Sequence, residues 1–222
     1  MKEHDAEPLR GLPEALPAGE TILWQGAPRW GALARRGFHV VKVAVYFALL
    51  LLWIVAADIN DGAPFAATLS AALWLAVGAG TSIGLLSLFA WLIARSTLYT
   101  VTNRRVVMRF GVAIPVAFNL PFRQIKAAGL RRYSDGTGDI PLTLMGSERI
   151  AYVVLWPHAR PWHFAPAEPM LRSIPDAARV AEILAGAFAA EAATRPPARA
   201  PSTPEAQSSP GHTAQSQAAS AA

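Results

Sequence analysis

The chain has 222 residues, of which 53% are hydrophobic and only 16% charged; its mean hydropathy is +0.28 and its formal net charge +5. An ordinary soluble domain carries about a quarter charged residues, so this composition excludes one and places the apolar excess in particular segments. Cysteine is absent, which agrees with a reducing compartment.

Residues 1–37 are polar and mixed and read as a cytoplasmic segment that packs on the domain further along the chain. Two apolar runs follow, Val43 to Ala57 and Ala63 to Ala94, the second a stretch of thirty-two residues without a charge. Extended back to Phe38, the first run has the roughly 20 residues that cross about 30 Å of hydrocarbon. Lys42 and His39 then lie at the interface, where a long lysine can snorkel. The second run exceeds one crossing, so its beginning near Pro64 is assigned to the connection and its helix to about 71–94. Buried helices of a soluble bundle usually carry a polar stripe, and these runs have none. A secretory signal does not fit either, because the first run starts late and no small-residue cleavage site follows it.

Arg29, Arg35, Arg36 and Lys42 precede the first run and Arg95, Arg104, Arg105 and Arg109 follow the second, whereas the connection DINDG carries only Asp58 and Asp61. The positive-inside rule then places both termini in the cytoplasm. Ala72, Ala76, Gly80 and Gly84 recur every four residues and form a small-residue stripe suited to close helix packing. Its partner is the first helix, a second copy of the chain, or another membrane protein.

From Arg95 to Arg172 there are eleven Lys and Arg against four Asp and Glu, a basic region beside an anionic leaflet. The period here is two. Leu98 to Thr102 and Arg105 to Phe110 alternate around a turn at Thr102 and Asn103 and predict a hairpin. Further strands are expected at Ala113 to Leu120, Ile125 to Tyr133, Ile140 to Leu144 and Ile150 to Leu155, the first of them bent or at an edge because of Pro115. After a proline-broken passage, helical spacing returns over SIPDAARVAEILAGAFAAE, with Ser173 and Asp176 spaced as a capping box. Several strands closed by one amphipathic helix suggest a small antiparallel barrel plugged by that helix. Residues 191–222 are mostly Ala, Pro, Ser and Gln and are expected to be a disordered tail.

The order LPAGETILWQGAPRW, an apolar helical pair, LYTVTNRRVV and GTGDIPL resembles the bacterial membrane-anchored pleckstrin-homology domains. More narrowly, FHVVKVAVYFALL, NLPFRQI, DGTGDIPLTL and VLWPHARPW resemble the PuhB-type photosynthetic-complex assembly family. The resemblance spans roughly Pro8 to Leu184. It implies an α+β membrane protein: a transmembrane hairpin, a PH-like barrel over 95–190 capped by the C-terminal helix, no catalysis, and a role in assembling the reaction centre. The implied partners are membrane lipid, reaction-centre or light-harvesting polypeptides and other assembly factors, with a homodimer possible and no nucleic acid. A general membrane-anchored role in lipid or envelope homeostasis is the alternative.

Arg104, Arg105, Arg109, Arg123, Lys126, Arg131 and Arg132 read either as a cationic surface for anionic lipid or an acidic partner, or as a solvated positive-inside face. LWPHARPWHF gathers Trp156, His158, Arg160, Trp162 and His163. Stiff aromatics and arginine are what protein contacts use; an interfacial aromatic belt or a loop wrapped on the barrel is the other reading. No metal site is expected, since His158 and His163 lack a cysteine or carboxylate pair. His39 reads as an interfacial histidine, with axial ligation of a bacteriochlorophyll magnesium as the weaker idea that the implied pathway suggests. No resident cofactor is expected. SDGTGDI lacks the lysine and following helix of a phosphate loop and reads as a turn. Transport is disfavoured by the lack of an ionisable residue within the two spans.

Overall fold

The computed structural model describes residues 16–112, 114–145 and 150–194. The elements run in chain order β1 (Ile22–Gly26), α1 (Trp30–Arg36), α2 (Val40–Asn60), α3 (Phe65–Ser96), β2 (Leu98–Thr102), β3 (Arg105–Phe110) and β4 (Val116–Pro121). There follow β5 (Ile125–Ala128), β6 (Arg131–Arg132), β7 (Thr137–Leu144), α4 (Tyr152–Leu155), β8 (Ala159–Phe164), β9 (Ala167–Pro175) and α5 (Ala177–Thr194).

The strands form two antiparallel sheets, one ordered β1-β2-β3-β4 and the other β5-β7-β9-β8 with β6 also pairing β7. Tyr99, Val101, Val106, Met108 and Phe110 from the first sheet meet Ile140, Leu142, Leu171 and Ile174 from the second, and α5 closes the core with Val180, Leu184 and Ala187. Gly138 permits this closure, because a Cβ there would lie 2.6 Å from both the Ala177 Cβ and the Arg131 carbonyl oxygen. The helix-capped barrel expected from the alternation is therefore present, with an addition that the sequence did not announce. β1 precedes the helical pair and β2 follows it, yet the two strands are antiparallel neighbours, with Trp24 opposite Val101. The helical hairpin is thus inserted into the first strand pair of the barrel.

α2 and α3 are long and apolar enough to cross a membrane, with mean hydropathies of 2.5 and 1.8, and none of the α2 window is buried. By rise per residue, α2 is about 31 Å long and α3 about 48 Å. α3 begins at Phe65, directly after Pro64, and not near 71. Proline at a helix start gives up only a donor that has no partner there, so the apolar run continues as one helix without an interfacial turn.

Four other expectations are corrected. Ile150 to Leu155 is not a strand, for Tyr152–Leu155 is one helical turn. The proline-broken passage is the hairpin β8–β9; β8 lies at the sheet edge, where Pro161 costs no ladder bond to a second neighbour. Ser173 and Asp176 form no capping box. Ser173 belongs to β9 and donates its backbone N–H to the Asp139 carboxylate at 2.7 Å, filling the register shift between Gly138 and Ile140. The single strand expected over 125–133 is two, β5 and β6, divided at Gly129 and Leu130. Of the strand expected from Ala113, Ala113 itself lies outside the described residues, as does nearly all of the expected tail, 195–222.

Candidate functional site

The feature that distinguishes this barrel is its joint with the helical hairpin, where three segments converge on His158. α3 ends when Thr97 turns to extended geometry and its hydroxyl donates to the Ile93 carbonyl at 2.7 Å. The Thr97 oxygen is then left to accept from His158 Nε2 at 3.2 Å, which fixes Nδ1 as the ring acceptor. Nδ1 accepts the Tyr99 hydroxyl at 2.6 Å, and the Tyr99 oxygen accepts the Arg172 backbone N–H at 3.3 Å. Each donor in this chain is aligned with the next, running from β9 through β2 to the last turn of α3. Tyr99, Thr97 and His158 are all buried, and Phe110 packs on the imidazole at 4.6 Å. Burial, followed by the nearby Arg172 charge, pushes the imidazole down to about 3, and burial pushes the Tyr99 phenol up. The histidine is a neutral structural link and both ring nitrogens are engaged.

Arg172 extends the joint to α1. One guanidinium nitrogen donates to the Pro157 carbonyl at 2.7 Å and another lies 3.5 Å from the Arg36 carbonyl at the end of α1. α1 is clamped from its other side by the turn before β7. Arg36 donates to Asp135 at 2.9 Å and to the Thr137 hydroxyl at 2.6 Å, and its guanidinium lies 3.7 Å over the Tyr133 ring. Arg35 joins the same Asp135 oxygen at 3.2 Å. The Thr137 hydroxyl, with smaller help from Arg36, holds the Asp135 carboxyl well below the usual carboxylate range. Burial and a hydrogen bond to Asp139 push the Tyr133 phenol up to about 12. Leu33 on the inner face of α1 then packs against Ile93, Ala94 and Phe38, so the foot of the hairpin is held by apolar packing inside and charge pairing outside.

A third clasp joins the chain before the hairpin to the chain after it. Arg105 donates from Nε and Nη2 to the two oxygens of Glu20 at 2.7 and 2.8 Å. Burial alone would raise the Glu20 carboxyl, but the Arg105 and Thr102 contacts outweigh it and the net shift is downward.

The residues expected to form sites are scattered relative to this joint. His158 is not on a partner surface; it is fully buried because its ring fills the space between Tyr99 and Phe110. Arg105 is engaged by Glu20, and Arg160 pairs with Glu168 at 2.7 Å. Arg104 is exposed at the β2–β3 turn, and Arg109, opposite Leu98, lies at the other end of the strand. Arg123 and Lys126 border a groove beside Phe188 and Glu191. Arg131 and Arg132 lie on β6 in the other sheet, Arg131 5.4 Å over Tyr133. The seven cations therefore do not form one face. Trp156 and Trp162 are exposed, and Trp156 meets Phe38 edge to face at 5.6 Å. His39 is exposed at the entry to α2 in a left-handed conformation, and the His163 ring lies 3.1 Å from the Pro161 carbonyl oxygen. The joint residues Glu20, Arg36, Asp135 and Arg172 escaped the sequence reading, which counted the arginines only as flanking charge.

At Gly80 and Gly84 the small-residue stripe does not pack on α2. A Cβ added at Gly80 or Gly84 meets nothing within 4 Å. Gly80→Ile and Gly84→Ile should leave the α2–α3 pairing intact, seen as unchanged crosslinking between cysteines placed on the two helices.

A family profile described as bacterial PH domain matches residues 38–188. A Rhodobacter capsulatus protein described as an uncharacterized 23.7 kDa protein in the puhA 5' region is 38% identical over 194 residues, covering 86% of this chain and 91% of that one. No solved structure matches. The matched profile takes in the helical hairpin, the strands after it and most of α5, omitting β1. With two long apolar helices, α2 unburied and α3 buried only at its foot, and a PH-like barrel on the same chain, the protein is membrane-associated and belongs to the bacterial PH domain family.

Proposed function

We propose that the protein is a non-enzymatic assembly factor for the photosynthetic reaction centre or its light-harvesting complex, acting through contacts at the cytoplasmic face of the bacterial inner membrane. The observation that carries this reading is the Rhodobacter capsulatus relative, whose name places it 5' of puhA, a reaction-centre gene, and which aligns along nearly its whole length. The fold is compatible with such a role. A barrel fastened to both feet of a membrane hairpin is held beside the cytoplasmic ends of other membrane helices and does not search the cytosol. Both helices cross the bilayer in this reading, and Arg29, Arg35, Arg36, Lys42 and Arg95 flank the same end of the hairpin as the barrel, which supports cytoplasmic termini.

Deleting the gene in its own host should abolish or strongly reduce the near-infrared absorption of assembled reaction centre in isolated membranes while its messages persist, and a plasmid copy should restore it. Unchanged complexes would reject the assembly role and favour a general envelope function of the wider family.

A further inference from the structure

The sheet register fixes which end of the barrel faces the bilayer. β2 leaves α3 at Leu98 and β3 returns antiparallel, bringing Arg109 opposite Leu98. The loop from β3 to β4 therefore turns at the level where α3 ends, and there it exposes Val112 by 51% and Ile114 by 77%. Gly111 sets this turn with φ of 128°, and any Cβ would collide with the Ile114 carbonyl oxygen. Position 111 therefore requires glycine.

A second apolar strip begins at the foot of α2, where Phe38 meets Trp156. One helical turn earlier, α4 exposes Val153 by 83% and seats Tyr152 against Phe164 at 4.8 Å. Trp162, 85% exposed, stands edge-on to Phe164 at 6.4 Å. Both strips start from the same buried contact at the foot of the hairpin, since Phe110, just before Gly111, packs on His158, two residues beyond Trp156. Scattered exposed apolar residues need no explanation, but large ones that separate segments bring to the foot of two apolar helices mark a surface that water does not cover.

The chain itself indicates what covers it. Trp156 already touches the residue from which α2 departs, and α3 closes at the same level with Arg95 stacked 5.4 Å from the Trp91 ring. Tryptophan with flanking cations is the side-chain chemistry of the headgroup layer, apolar at one end and wet at the other. We infer that the bilayer-facing rim of the barrel, formed by Val112, Ile114, Val153, Trp156, Trp162 and Phe164, is immersed in the interfacial layer of the leaflet from which the hairpin enters. The domain is then held by its own surface as well as by its helices, which fixes its tilt against the membrane. The inference rests on the hairpin crossing the bilayer and is independent of which complex the protein serves.

Because the chain contains no cysteine, single nitroxide labels can be placed without other changes. The full chain, one copy per lipid nanodisc of phosphatidylcholine and phosphatidylglycerol, would carry a label at Ile114→Cys, Val153→Cys or Trp162→Cys. Val77→Cys within α3 serves as the deep reference, and Ala189→Cys, exposed on α5 beside the Phe188 that packs on Phe122, as the distal one. Collision rates with oxygen and with a water-soluble nickel chelate report depth. The three rim labels should favour oxygen over nickel, with ratios between those of the two references. Rim ratios equal to that of Ala189 would overturn the inference, and so would rim labels shielded from both quenchers, since that signals protein contact. An aqueous reading at Val77 would reject the membrane crossing itself, a failure separate from that of the rim.

Discussion

Arg105→Glu should destabilise the barrel by about 3 kcal/mol or more, the cost of leaving a buried charge without its partner. The Glu20 side chain is only 2% exposed and receives both Arg105 donors, whereas Arg105 is 24% exposed, which moves the expected cost to the lower end of that range. Domains are stable by roughly 5–15 kcal/mol, so the loss is a large fraction of the total. Its structural consequence is specific. Glu20 stands just before β1, and with the clasp gone β1 would peel from β2, leaving β2 as an unpaired edge. Arg105→Lys keeps the charge but not the two-pronged geometry and should fall between wild type and Arg105→Glu. Exchanging the pair, Glu20→Arg with Arg105→Glu, should recover part of the loss. Thermal unfolding of the purified protein in detergent reads all four; an Arg105→Glu melting point equal to wild type would dismiss the clasp.

Arg104 behaves differently. It is exposed at the same turn, and an exposed substitution usually changes stability by under about 0.5 kcal/mol. A double Arg104→Glu, Arg105→Glu variant would therefore mix a folding defect with any loss of a partner surface. Arg104→Glu alone is the informative probe of whether the cationic turn contributes to complex accumulation.

The parts of the molecule legible in the sequence are those set by periodicity. The apolar runs of α2 and α3, the alternation of β2 and β3 and the spacing of Val180, Leu184 and Ala187 each declare one element and its buried face. What was not legible depends on contacts between residues far apart in the chain. Ser173 reads as a helix cap until Asp139, 34 residues earlier, takes its N–H. Arg36 reads as positive-inside flank until the SDGTGD turn, about a hundred residues on, returns beside α1. His158 reads as a surface residue because Pro157 and Trp156 surround it, and only the paired sheets reveal that Tyr99 and Phe110 enclose it. Pro-rich segments mislead in the same way, since proline argues against a central strand but says nothing against the edge position that β8 occupies.

Lowering the pH should weaken the joint through His158 before the clasping carboxylates titrate. The ring's ordinary value is 6.5 and its folded value is pushed down to about 3. Below 6.5 the unfolded chain takes up a proton that the folded chain refuses, so stability is fully present above 6.5 and is lost as pH falls toward 3, by up to about 1.4 kcal/mol per pH unit. The hydrogen-bond chain gives the structural reason. A proton on Nδ1 would face the Tyr99 hydroxyl and take away the acceptor of its hydrogen, which would have to turn aside within the buried joint. The share belonging to His158 is the difference between wild type and His158→Gln. That variant should melt lower at neutral pH, because Tyr99 and Thr97 lose a shared partner and a buried unpaired hydroxyl costs about 1–3 kcal/mol. It should also be less sensitive to pH between 6.5 and 5, a window above the range in which carboxylates titrate. Melting points of the two proteins taken across that window decide the matter. Parallel curves would mean that the imidazole is not held neutral by the joint, whereas curves that converge toward pH 5 would show that the same hydrogen-bond chain that fastens the barrel to α3 makes the attachment acid-labile.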